Sequence, residues 1–466
     1  MIAKQGWSGK VLSWFGLYGA LITEAEMPAL NWYDETYTFM MTVDATGSKI
    51  QTVPDTGLGP FIVETTTCTA CATGKVDPAG GNAGIAATST AVTGNLASST
   101  YSGVEGTATV CIMKDGAYAT APTTANIATM PCIENAKVQF ANEVASPNKH
   151  ANAYLGLALG GGPDRYGKTY AEDQFLLNQL KTAGKLSFGS KQIGMALYTD
   201  DGNGNDITKT QSFIDVGTTS SSTVVKPNQR GRIITFDENS FYWKTSLNGI
   251  WFGTGDSWKY GFNDKTVTIE TGVQCLYVDD GDYDFIMEKI TAYSTGFWQT
   301  ADGETLVSCG DARNMQKISI LVNDFWIEIS PSDYLTPVRT EFATKEVSTG
   351  MCRICVKKSW DTYWHVGTSA LVGYYSQFNL SRRTIALYPL ASGTKVEMVE
   401  GSRPDLVLGN DILTISFLTA GNVIALGLLV TLIILAFFND EPVPSNEEDG
   451  EQEGDRAEGP ADSALE

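Results

Sequence analysis

Across residues 30–405 the apolar side chains fall in short alternating runs, each cut off within a few residues by Gly, Asp, Asn or Pro. A period of two puts alternate side chains on opposite faces of an extended strand. The interrupting residues are turn formers, so the pattern confines this body to a β-rich fold. Segments 37–43, 233–236, 266–269, 318–322 and 326–329 read as strands. One helix is predicted over 171–183, with Phe175, Leu176, Leu177 and Leu180 on its apolar side and Gly184 after its end. Segment 72–100 is rich in Gly, Ala, Ser, Thr and Asn and reads as a long surface loop. No short repeat is visible, which argues against solenoids and propellers.

An apolar share of 42% in 466 residues supports a packed core, and the length suits two lobes. With 32 Lys+Arg against 53 Asp+Glu the net charge is −21, which argues against a nucleic-acid partner. The chain has 2 histidines, His150 and His365, too few for a multi-His metal site and a poor start for a Ser-His triad. No metal and no cofactor is expected. His365, in an apolar segment, reads as a satisfied core residue.

The ends carry a different message. Segment 412–439 contains no charged residue, and 423–438 is almost purely aliphatic and aromatic, so 412–438 is predicted to be a transmembrane helix. The tail 439–466 holds 11 acidic residues and one basic residue, Arg456, and reads as disordered. Lys4 and Lys10 precede or flank the apolar run 11–22, the pattern of a signal peptide within 1–25. Together these features describe a single-pass type I membrane protein of the secretory system or cell surface. Its body would be lumenal or extracellular, and the lipid bilayer would be a partner of the C-terminal helix. The 8 cysteines fit that compartment as disulfides: Cys68, Cys71, Cys111 and Cys132 in the first half, Cys275, Cys309, Cys352 and Cys355 in the second. Spacing alone leaves their connectivity open.

Two Asp-x-Gly turns follow apolar runs, one in each half: Val53-Pro54-Asp55-Thr56-Gly57 and Tyr277-Val278-Asp279-Asp280-Gly281-Asp282. Later in each half comes an apolar-Gly segment, Tyr154-Leu155-Gly156-Leu157 and Trp364-His365-Val366-Gly367. The second continues through Tyr374-Tyr375, Phe378-Asn379 and Ile385-Ala386-Leu387. In this order and spacing, over about residues 33–392, the chain resembles the pepsin-like aspartic protease family. The resemblance implies an all-β, bilobal fold with few short helices, an N-terminal lobe over 26–210 and a C-terminal lobe over 211–400. It implies an endopeptidase, here membrane-anchored by the apolar run 412–438, with Asp55 and Asp279 as the catalytic dyad, supported by Thr56, Gly57, Gly281, Asp280 and Asp282. The substrate would be an extended peptide or unfolded protein. The resemblance also implies a Cys309–Cys352 disulfide.

Two adjacent carboxylates cannot both ionise cheaply, so such a pair shares one proton and can serve as acid and base at once. The sequence departs from the family pattern around it. The residue three after each aspartate is ordinarily Ser or Thr, and Leu58 and Asp282 stand there. Asp280 replaces a third hydroxyl. The flap tyrosine has two registers, one putting Met113 in its place and one using Tyr101. These departures leave an alternative function, a catalytically inactive homologue that binds peptides or partner proteins in its cleft. Asp280, Asp282 and Asp284 read as turn carboxylates, because Phe285 stands where a calcium loop needs Gly.

Overall fold

The computed structural model describes residues 26–31 and 37–404, apart from 46, 72–75, 80–83, 97–98, 113–131, 147–150, 187–190, 199–211, 218–223, 254–257, 301–302, 339–349 and 392–394, and also 428–429 and 431. Residues 1–407 form one compact unit and 408–466 another. The predicted signal peptide 1–25 and the tail 439–466 lie outside the described residues, and the predicted transmembrane helix 412–438 almost wholly so. Among the described residues no helix is long and apolar enough to cross a membrane.

Among the described residues, thirteen strands form the largest sheet, eight a second and four a third. The largest sheet draws on both halves of the chain. Strand Tyr374–Asn379 pairs with Gln192–Ala196 on one side and with Thr384–Pro389 on the other. The remaining pairings repeat one motif twice. Strand Lys49–Asp55 runs parallel to Ala153–Gly156, which lies antiparallel to Phe61–Glu64. Strand Lys259–Ile269 runs parallel to Trp364–Val366, which lies antiparallel to Leu276–Val278. These short strands are buried on both faces, as Phe61, Ile62, Val63, Leu155, Trp364 and Val366 illustrate. That burial is why they read as continuous apolar runs. Each motif needs a glycine where backbones nearly touch. A β-carbon at Gly156 would lie 2.2 Å from the Gly59 carbonyl oxygen, and one at Gly367 would lie 2.4 Å from that of Cys275.

Strands Tyr37–Val43 and Ile318–Val322 match the sequence expectation. The expected helix is a 3-10 turn, Glu172–Gln174, followed by helix Leu176–Thr182, which buries Leu176, Leu177 and Leu180. Two expectations are corrected. Part of the expected loop 72–100 is strand Ile85–Leu96, which forms a hairpin with Ser99–Ile112. Most of its residues are exposed on both faces, so small and polar side chains suffice and no apolar alternation marks it. The expected turn at Asp280, Asp282 and Asp284 is the start of helix Asp280–Thr291, which buries Tyr283, Ile286 and Ile290. All eight cysteines are paired, as Cys68–Cys71, Cys111–Cys132, Cys275–Cys355 and Cys309–Cys352, the last as the resemblance implies.

Candidate active site

Asp55 ends its strand at the centre of the body and is 1% exposed. The Gly57 amide donates to Asp55 Oδ1 at 2.8 Å. The residue that meets it from the second half is Glu270, directly after strand Lys259–Ile269. A β-carbon built on Gly57 would lie 3.2 Å from Asp55 Oδ1 and 3.4 Å from Glu270 Cδ, so the two carboxyl groups flank one point. A β-carbon on Gly272 would lie 2.5 Å from Asp55 Cγ. The two turns, Asp55-Thr56-Gly57 and Glu270-Thr271-Gly272, therefore interlock with a glycine of each against the acids.

The threonines complete the interlock. Thr56 N donates to Thr271 Oγ1 at 3.2 Å, and Thr271 N donates to Thr56 Oγ1 at 2.9 Å. Each hydroxyl then donates across the pair, Thr56 to the Ile269 carbonyl and Thr271 to the Pro54 carbonyl, both at 2.6 Å. All four groups are buried, so each satisfied bond fixes the two turns against each other at low dielectric.

Asp279 is thus corrected as the partner of Asp55. It is the N-cap of helix Asp280–Thr291, where its Oδ1 accepts from the Asp282 amide at 3.0 Å. Its other oxygen is ion-paired with Lys265. Asp282 binds the same lysine at 2.9 Å and accepts from Trp364 Nε1 at 2.9 Å. Asp280 is exposed and paired with Lys358. These aspartates, with Gly281, stabilise a helix start, where anions are favoured. The charges acting on Asp55 are instead those of Glu270 and Arg165. Burial first, then Glu270, pushes the Asp55 carboxyl up to about 7, against the pull of the Gly57 amide and of Arg165.

The inventory of supporting hydroxyls changes with the partner. Counted from Asp55 and Glu270, both adjacent threonines are present, and the positions three residues on are Leu58 and Val273. Of the flap residues, Met113 lies outside the described residues. Tyr101 sits in strand Ser99–Ile112, buried, with its hydroxyl bonded to Gln139 Oε1.

Two residues of this site were not legible as functional. His365 is 1% exposed and satisfied, as expected, but by carboxylates. Its Nδ1 lies 2.9 Å from Glu270 Oε1 and 2.7 Å from Thr268 Oγ1, and its Nε2 lies 2.8 Å from Asp361 Oδ1. Burial opposes charge on the ring, yet Glu270 and Asp361 outweigh it and raise His365 to about 9. Arg165 sits 3.7 Å from Asp361 Oδ2 and over the Trp360 ring, which stacks on His365 with centroids 4.1 Å apart. Among the described residues no cluster of His, Cys, Asp and Glu is arranged to hold a metal ion.

The chain matches known proteins in part of its sequence and in its fold. The family described as eukaryotic aspartyl protease matches residues 229–390. No curated protein sequence matches the chain. Among solved structures, an aspartic proteinase from Irpex lacteus superposes with a TM-score of 0.58 at 14% identity, covering 80% of this chain and 99% of that one. The likeness in structure establishes the fold, and the sequence match falls on the half that carries Glu270, His365 and the closing strands. The chain has the pepsin-like aspartic proteinase fold, and its second half resembles the eukaryotic aspartyl protease family in sequence.

Proposed function

We propose that this protein is an aspartic endopeptidase whose working pair is Asp55 and Glu270. The observation that carries the reading is the reciprocal bonding of Thr56 and Thr271, which holds the two acids over one point. The sequence match to the eukaryotic aspartyl protease family supports peptide or protein substrates. One carboxylate takes a proton from water, and the water oxygen attacks the scissile carbonyl carbon. The protonated partner hydrogen-bonds the carbonyl oxygen. As the C–N bond breaks, a proton passes to the leaving nitrogen. Glu270 Oε2 is buried with no hydrogen-bond partner among the described residues, so it is available to accept from that water.

The test is cleavage of an unfolded protein by the full chain in detergent at about pH 4 to 7, where a buried carboxyl pair can share a proton. Asp55→Asn and Glu270→Gln should each abolish turnover, and Asp279→Asn should retain it. A second reading, a relative that holds peptides without cutting them, is favoured by the loss of hydroxyls at Leu58 and Val273. It predicts peptide binding indifferent to Asp55→Asn.

We also infer that the body is lumenal or extracellular, held to the bilayer by 412–438 behind a cleaved signal. The four disulfides, at home in an oxidising compartment, and the uncharged run 412–439 support this. Digestion of sealed microsomes tests it: the body should be protected and the tail 439–466 removed.

A further inference from the structure

We propose that His365 is a positioning residue that breaks the symmetry of the acid pair, making Glu270 the proton-accepting member and Asp55 the proton-carrying one. The proposal rests on the peptidase reading above and deepens it.

The geometry starts from the ring. Both nitrogens of His365 face carboxylate oxygens, Glu270 Oε1 at 2.9 Å and Asp361 Oδ1 at 2.8 Å. An ionised carboxylate can only accept, so the arrangement is satisfied by a ring that donates from both sides, an imidazolium. The ring cannot turn away. Trp360 stacks on one face, Thr268 Oγ1 lies 2.7 Å from Nδ1, and Trp364 and Val366 on either side of it in sequence are wholly buried. The site thus places a fixed cation against Glu270, whereas Asp55 accepts from the neutral Gly57 amide.

The other charged and titratable groups around the ring reinforce this. Asp361, on the near turn, holds the far side of the ring; partial burial opposes its charge, but the bond from His365 prevails and lowers its pKa. Arg165 approaches Asp361 at 3.7 Å and also acts on Asp55. Tyr277 pairs with His365 across the sheet, and burial first, then Glu270, pushes its phenol up to about 12, so it stays neutral. Asp55 faces Glu270 from the other lobe with its carboxyl raised to about 7. A proton shared by the pair therefore resides on Asp55, while the cation side holds the acceptor. Glu270 suits this role because its extra methylene, about 1.5 Å of reach, spans from the interlocked turn to the imidazole.

Two measurements on the full chain test the proposal. In the first, NMR titration of the His365 ring should find it protonated at pH 7, with a midpoint lowered by at least one pH unit in Glu270→Gln. In the second, His365→Gln should lower kcat about tenfold with KM within twofold, and should move the acid limb of the pH–kcat profile up by about one unit. Asp361→Asn, at a partly exposed position, should move that limb the same way by less and guards against a His365 variant that fails to fold. A neutral ring at pH 7, or an acid limb unmoved in both variants of an active enzyme, would overturn the assignment. An enzyme with no Asp55-dependent cleavage would overturn the peptidase reading instead, and the ring titration would still judge His365 by itself.

Discussion

Thr56 and Thr271, 215 positions apart, hold each other by the same bond made twice, the amide of each donating to the hydroxyl of the other. The relationship defines a local two-fold axis, and Asp55 and Glu270 sit one residue before it on either side.

Removing one hydroxyl strands a buried amide and a carbonyl, so Thr56→Ala and Thr271→Ala should each cost about 2 kcal/mol of stability. Because the two hydroxyls belong to one interlocked network, each bonding the other's turn, the double variant should cost clearly less than the sum. Denaturant titration of the three variants measures this, and strict additivity would show that the bonds do not act as one unit.

Asp279 and Asp55 should separate cleanly in mutagenesis. Asp279→Ala removes a helix cap and a Lys265 partner, so it should lower stability by about 1 kcal/mol while leaving cleavage within about twofold. Asp55→Asn should lower kcat by about 10³-fold or more without a comparable loss of stability. Steady-state kinetics beside melting curves decides between them.

The raised Asp55 carboxyl has a consequence for stability. Its folded value, about 7, lies above its ordinary 3.8, so folding favours the protonated form. Its contribution is fully present below about pH 3.8 and is lost as pH rises through about 7. Asp55→Asn, which keeps the shape and removes the titration, should therefore raise Tm more at pH 8 than at pH 4. Equal gains at both pH values would count against a buried, proton-carrying Asp55.

The disulfides should differ in weight. Cys275–Cys355 closes a separation of 80 residues and joins the heads of two adjacent strands, whereas Cys68–Cys71 spans 3. Loop-closure entropy puts the first near 4–5 kcal/mol and the second near 2. Paired Cys→Ser variants compared by unfolding should follow that order.

Much of this architecture is readable in the chain because buried strands leave a strong apolar signature. Segment 318–322 is buried along its whole length and 37–43 at every position but Met40, and both stand out for that reason. Strand Ile85–Leu96 does not, since its long exposed hairpin needs backbone pairing and little apolar contact. The first acid turn is legible at Asp55. The second is hidden by its chemistry: a Glu stands where a shorter acid is expected, and the nearby Asp279-Asp280-Gly281 offers a closer match in letters. The signal that reveals Glu270 is positional. Segment 266–269 already reads as a strand, and Ile269-Glu270-Thr271-Gly272 follows it as Pro54-Asp55-Thr56-Gly57 follows its own. His365 could not be assigned from sequence, because its two carboxylate partners come together only when strand Trp364–Val366 lies beside Lys259–Ile269.

The pairing of Tyr374–Asn379 with Gln192–Ala196 bears on how this chain is made. A nascent polypeptide that has emerged only through its first half presents Gln192–Ala196 as an open border, able to recruit any extended segment nearby. The border stays open until almost the last stretch of the body is synthesised. Newly made chains should therefore depend on a chaperone or on rapid completion far more than the finished protein does.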